Sequence, residues 1–440
     1  MSVEAFVYII SSIVLISSVS IMINIFGKNV LLTMPGYFYI HFIVFIFLGS
    51  PMYFLNKGAV NISYIAATNL VLIIFPMGIL LMNKLIKIKF EPVLNSYLDS
   101  PVIDKQSSNH FIPVYLFILF ITIGVTLIYY SKLAVIPINF LLLNVMDGID
   151  IVEVGQLREA ATTSFKLGKL HRYTIFMVQL LPFLVLIALF KTKMSKNSLW
   201  KLILFAVSIF TLYRCISDLQ KGPILEFIIL IFLALWIFKG RINWKQGGIL
   251  IILIIAILCL MYFYIMGINQ GSFSALFISF GKRLFITQTG ALYHYFSLFP
   301  SSHDFLYGTS FPNPAGIFQF ENFPLTKWIF INGLNRSGQI VGTAPSAFIG
   351  EIYANFGFPI MMLSILLLSM FLQFIQIKFI TRPRTLLLTA FYTYFVFLSG
   401  QFAMTGMFIV AHLYLIIFLI AAIIFVDGYS LLVGALENEK

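Results

Sequence analysis

Apolar runs with no polar face succeed one another along most of this chain, each long enough to cross a hydrocarbon core of about 30 Å as a helix. They fall at approximately 6–25, 34–55, 62–83, 111–130, 174–191, 200–216, 223–238, 247–267, 357–377, 386–404 and 407–426. In hydrocarbon each run has to satisfy its own backbone, so each is expected to be a helix. The pattern predicts an all-α, polytopic transmembrane helical bundle of about eleven spans in one membrane domain, 1–440. Two stretches break the rhythm, a first external loop at 131–173 and a large one at 269–356. Connectors are usually short, so a segment as long as the second calls for a role of its own.

Composition removes the soluble alternative. Of the 440 residues 60% are hydrophobic and 10% charged, and 48 are Phe. That is more apolar surface than a soluble core hides, and the lipid bilayer is the partner that accepts it. The net charge of +12 points to topology and not to nucleic acid, because the cations cluster between spans. Lys84, Lys87 and Lys89, then Lys191, Lys193, Lys196 and Lys201, then Lys239, Arg241 and Lys245, then Lys378, Arg382 and Arg384 occupy alternate loops. Under the positive-inside rule these loops are cytoplasmic, which puts the N-terminus and both long loops outside and the C-terminus inside. Two cysteines, Cys215 and Cys259, support neither a disulfide framework nor a cysteine metal cluster. Glu4 precedes the first run without a basic n-region, so that run is expected to be a retained helix.

The chemistry is expected on the outer side. Within the first loop, 134–145 is too short to cross and is expected to lie in the interface or re-enter. Val154, Leu157, Ala161 and Phe165 then make one helical stripe, with Arg158 beside it and Lys166, Lys169, His171 and Arg172 following. Arg158 reads equally as a solvated cation or as a ligand for a headgroup. Arg214, thirteen residues beyond Lys201, lies roughly 20 Å up its helix at 1.5 Å per residue, near the outer rim. Asp218 and Lys221 stand in the turn after it, and Glu226 about one turn into the next span. Charges there are costly, so they either pair across the hairpin or form a cationic rim for an anionic lipid headgroup.

The large loop spreads Lys282, Arg283, His294 and Arg336 among aromatics that include Phe285, Tyr293, Tyr295, Tyr307 and Trp328, and ends with Glu351 entering the membrane edge. Rings stack on sugars and guanidinium groups grip phosphate, so this mixture suits a glycan carried on a phosphate. There is no Asp-x-Asp, no His/Asp cluster and no Gly-rich phosphate loop, so a metal-bound nucleotide sugar lacks its usual parts. No metal and no cofactor is expected.

The order of Arg214 and Lys-Gly-Pro at 221–223, Arg283 early in a long outer loop, a Tyr-Gly-x-Ser turn at 307–310, then Gly-Thr-Ala-Pro-Ser at 342–346 and Gly-Glu-Ile-Tyr-Ala-Asn-Phe-Gly at 350–357 resembles the Wzy-type oligosaccharide repeat unit polymerases of bacterial O-antigen and capsule assembly. Where that family carries Arg-rich, Gly-spaced patterns in both large external loops, the first loop here offers Arg158 and Gly168. The resemblance implies a C-type glycosyltransferase in the bacterial cytoplasmic membrane. It implies transfer of the growing glycan from undecaprenyl diphosphate to the non-reducing end of a new undecaprenyl-diphosphate-linked oligosaccharide, with a chain-length regulator as a possible partner. On that reading Arg158, Arg214, Lys221, Arg283 and Arg336 meet the diphosphate, with Glu226 and Tyr293 beside them, and the base is Glu351, His294 or Glu226, in that order. An O-antigen ligase would share the chemistry but use another acceptor. A flippase is the non-enzyme rival; the chain lacks the internal repeat that transporters tend to carry.

Overall fold

The structure is a computed structural model that describes residues 3–51, 53, 61–104, 111–133, 135–144, 173, 175–266, 281, 285–311, 313, 316, 318–334 and 343–405. The expected span 407–426 and the expected polar helix around 154–172 lie outside these residues.

Among the described residues the regular structure is helical, apart from one isolated bridge between Ile103 and Thr385. The helices are α1 (Val3–Phe26), α2 (Met34–Phe42), α3 (Ile62–Ile86), α4 (Phe90–Asp99), α5 (Phe111–Lys132), α6 (Pro137–Asn144), α7 (Leu181–Met194), α8 (Ser198–Ser217), α9 (Lys221–Lys239), α10 (Trp244–Met266), α11 (Thr287–Leu298), α12 (Leu325–Asn332), α13 (Phe348–Ile380) and α14 (Leu386–Thr405). A π turn at Ile43–Phe47 extends α2, and another at Ile175–Leu180 leads into α7. Nine segments among the described residues are long and apolar enough to cross a membrane, and α10, outside that nine, covers the expected span 247–267. The chain is a multi-pass helical membrane protein.

Local sequence sets several helix starts. The side chains of Thr33, Asn61 and Asn197 accept hydrogen bonds from the N–H groups of Gly36, Tyr64 and Leu199, occupying donors that the first turn leaves free. Burial then sorts the helices. α2, α7 and α14 form the interior, with α14 packed along α2 and α7, and α13 lies along α3. α1 and α5 show the bilayer side chains such as Ile13, Ile16, Phe117 and Phe120, as a helix apolar all round does when lipid is its solvent.

The alternate basic loops meet on one face, as their shared sign predicts. The hub is α4, a ten-residue amphipathic helix too short and too polar to stand out in hydropathy; its Phe90, Leu94, Tyr97 and Leu98 are buried. Phe90 packs edge-on against Phe26 at 5.2 Å between ring centroids, and Asn29 Nδ2 donates to Asn95 Oδ1 at 2.9 Å. Arg384 donates to the carbonyls of Leu98 (2.7 Å) and Ser100 (2.6 Å) at the end of α4, and to Ile237 and Phe238 at the end of α9. Lys191 bonds both carboxylate oxygens of Asp104, at 2.9 and 2.8 Å.

Two expectations change at the opposite face. The 134–145 segment does hold a short helix, α6, but the large loop is partly helical, containing α11 and α12, and α13 begins at Phe348, nine residues before the expected span. Hydropathy missed this first part because its helical state depends on burial: Phe348, Ile349, Ile352 and Tyr353 pack into the core, and α11 lies alongside. Gly357 (φ 71°, ψ −167°) then bends the helix where the apolar run begins.

Candidate functional site

At the end of the helices remote from the basic face, the residues singled out in the sequence fall into two groups of polar side chains. The first lies between the ends of α8, α9 and α14 remote from the basic face. Arg214 is buried in the last turn of α8, and Glu226 sits in the second turn of α9. Gln401 Nε2, from α14, donates to Glu226 Oε2 at 2.9 Å. Glu226 is within electrostatic reach of Arg214, Tyr37 and Tyr394, and Tyr394 donates to Gln179 Oε1. Arg214 and Asp218 are each within electrostatic reach of Tyr129 and Tyr130, and Tyr130 donates to Ser217 Oγ at 2.9 Å. Around the hairpin, Arg214, Glu226 and Gln401 therefore belong to one polar network. Arg214 Nε–H finds no acceptor among the described residues, which leaves a buried cationic donor for a ligand or water. Lys221 begins α9, and its side chain is not among the described features.

The second group surrounds α11. Its Tyr293 ring lies 5.0 Å from that of Tyr53, whose hydroxyl is 3.4 Å from His294 Nε2. Burial, with Tyr293 as the lesser cause, pushes the Tyr53 phenol up to about 12, so it stays protonated through the neutral range. Gly333 closes over the histidine so tightly that a methyl there would lie 2.7 Å from the ring carbon Cγ. One residue on, Tyr295 is fully buried and donates to the Ala344 carbonyl at 3.1 Å. Burial, then the nearby charge of Glu351, raises its phenol well above the ordinary range. Glu351 itself, in the first turn of α13, is only 6% exposed and sits beside α11 through this tyrosine.

Asn355, one turn further along α13, joins two segments that the sequence separates by more than forty residues. Its Nδ2 donates to Ser310 Oγ and to the Glu351 carbonyl, both at 2.7 Å, while its Oδ1 accepts from the Gly308 N–H at 2.9 Å. The N–H groups of Leu306 and Tyr307 donate to the carbonyls of Ala354 and Asn355 at 3.0 Å each. The Tyr-Gly-x-Ser turn and the Glu-containing segment are therefore one unit.

Arg214 and Glu226 fall together in the first group, and Tyr293, His294 and Glu351 around α11 in the second. α2 stands between the two groups: its Tyr37 is near Glu226, and its Phe38 packs on Phe348 at 5.7 Å between centroids. Arg158, Arg283 and Arg336 lie outside the described residues. Tyr53, Gln179, Tyr394 and Gln401 were missed in the sequence, where each is a lone polar residue within or beside an apolar run. Such residues at transmembrane depth are themselves a signal, since burying them requires partners. No group of three His, Cys, Asp or Glu placed to hold a metal occurs among the described residues. No protein-family model, curated protein or solved structure matches the chain.

Proposed function

We propose that this membrane protein is a polymerase of lipid-linked oligosaccharide repeat units, acting on undecaprenyl-diphosphate substrates at the outer face of a bacterial cytoplasmic membrane. The observation that carries the reading is the Asn355 clamp. It joins the two loop segments behind the resemblance to Wzy-type polymerases and ties both to the turn bearing Glu351. Further support comes from the half-buried Glu226 and the buried Glu351, both at the end of the bundle remote from the basic face, where charge withdrawn from water calls for a functional partner.

In this reaction a hydroxyl at the non-reducing end of the acceptor glycan attacks the anomeric carbon of the donor. The new glycosidic bond forms as the bond to undecaprenyl diphosphate breaks, and the leaving diphosphate takes the electron pair. Glu351 takes the hydroxyl proton, with His294 next in order, and fixed cations at Arg214, Lys221, Arg283, Arg336 and Arg158 stabilise the departing charge. The buried Arg214 Nε–H is a donor of the kind that step uses.

The test is purified protein in nanodiscs with a synthetic undecaprenyl-diphosphate repeat unit, EDTA and no nucleotide sugar, with products resolved on a gel. The expected result is a ladder that disappears in Arg283→Ala and Arg336→Ala variants of unchanged thermal stability. Product only when a lipid A core is added would replace polymerase by ligase. No product, but passage of the lipid-linked unit across sealed vesicles, would replace it by a transporter.

A further inference from the structure

The outer segment 303–323 shows solvent two features that the proposed chemistry leaves unused. Tyr307 is 76% exposed and Phe318 55%, and the ring of Phe318 stacks on that of Phe320 at 5.8 Å with an interplanar angle of 14°. Large exposed rings cost free energy in water unless something covers them. They are also held in place. Asn313 Nδ2 donates to the carbonyls of Phe318 (2.7 Å) and Phe320 (3.2 Å), and its Oδ1 accepts from the Phe318 N–H at 3.0 Å. Asn322 Nδ2 donates to the Phe311 carbonyl at 2.8 Å, and the Phe323 N–H to the Thr309 carbonyl at 2.9 Å. Tyr307 has φ 50°, a left-handed conformation that a tyrosine adopts at a cost, held by its backbone bond to Asn355.

Charge decides what fits. In a chain of net charge +12, the stretch from Ser301 to Thr326 contains no Lys or Arg, and Asp304 and Glu321 are exposed on it. Such a surface does not attract phosphate or anionic headgroups, whereas flat aromatic faces beside carboxylate and amide groups suit the apolar faces and hydroxyls of a sugar.

We propose that Tyr307 and the Phe318–Phe320 pair form a platform that binds an uncharged stretch of oligosaccharide. This deepens the polymerase reading and rests on it for the purpose of the bound glycan. Through Asn355 the platform is tied to the turn that carries Glu351, so a glycan stacked on Tyr307 is held in register with the membrane-edge carboxylate.

The experiment is binding of detergent-purified protein to an immobilised panel of short, uncharged hexose and N-acetylhexosamine oligosaccharides, with no lipid-linked substrate present. Tyr307→Ala and Phe318→Ala are each expected to weaken binding about 3- to 10-fold, the range of one aromatic contact, with Phe318→Tyr near wild type. Both rings are exposed, so melting temperatures stay unchanged. Binding unchanged in the double variant, or no binding by wild type, overturns the platform. So does quenching of a Phe318→Trp variant beyond that of the four native tryptophans by acyl-chain-brominated phosphatidylcholine in nanodiscs, which would put the ring in the bilayer. Weakened binding together with no polymer from lipid-linked repeat units keeps the platform and removes the polymerase; a polymer ladder with unchanged binding does the reverse.

Discussion

Replacing Arg384 is expected to loosen the whole basic face. The residue is 3% exposed and its guanidinium spans the C-terminal ends of α4 and α9. Its counter-charge is a set of backbone carbonyls, the partly negative ends of two helices, at Leu98, Ser100, Ile237 and Phe238. Hydrogen bonds to a charged group are worth about 1.5–3 kcal/mol each, and a buried carbonyl left without a donor costs about 1–3 kcal/mol. The Phe238 contact, at 3.3 Å, is the weakest. Because one side chain makes all of them, the terms do not add in full, and Arg384→Ala is expected to cost about 3–5 kcal/mol, the range for breaking a buried charged network. Arg384→Lys keeps the charge but not the planar fork, and one ammonium cannot serve both helix ends, so it should recover less than half. The assay is SDS titration of protein in dodecyl maltoside micelles, followed by far-UV circular dichroism, with the exposed Lys378→Ala as control. A loss below about 1 kcal/mol for Arg384→Ala would refute the reasoning, because surface substitutions already reach about half of that. Full recovery by lysine would refute the fork geometry while leaving the charge argument intact.

Three further outcomes follow from the same structure. Asn355→Ala removes the two side-chain bonds from α13 to the 306–310 turn and keeps the backbone bonds of Leu306 and Tyr307; amide exchange at Tyr307 and Gly308 should quicken by about 10- to 100-fold, as two hydrogen bonds of about 1 kcal/mol would give, and unchanged protection would mean the backbone bonds alone hold the turn. Gly357→Ala forces a side chain into a backbone region nearly confined to glycine, with the Phe305 ring 3.2 Å from the new methyl, and should cost about 1–3 kcal/mol in the same SDS titration; a neutral result would show that the kink straightens. In a double-mutant cycle of Glu226→Ala and Gln401→Ala the coupling should be about 0.6–1.7 kcal/mol, and zero coupling would deny the interhelical bond.

What the sequence determined by itself is the class and the gathering of the basic loops on one face. Runs such as 62–83 and 111–130 can only be helices in lipid, and the clustering of cations in alternate loops by itself places Lys191, Lys239 and Arg384 on one face. These are properties of short windows, set by solvent and backbone satisfaction. Local windows contain no information on which lone polar residues meet. Gln401 reads as a minor flaw in an apolar run until α14 packs beside α9 and gives it Glu226. The 350–356 segment looks like loop because its helical state is stabilised by burial against α11, and α4 was passed over because ten amphipathic residues carry little weight beside their apolar neighbours. Tyr53 and His294 are separated by 241 positions, and only the packing of α11 against the extension of α2 makes them neighbours. The candidate site is built from such long-range contacts, whose energy depends on three-dimensional complementarity, so the residue types were legible in the chain and their grouping was a decision of the tertiary structure.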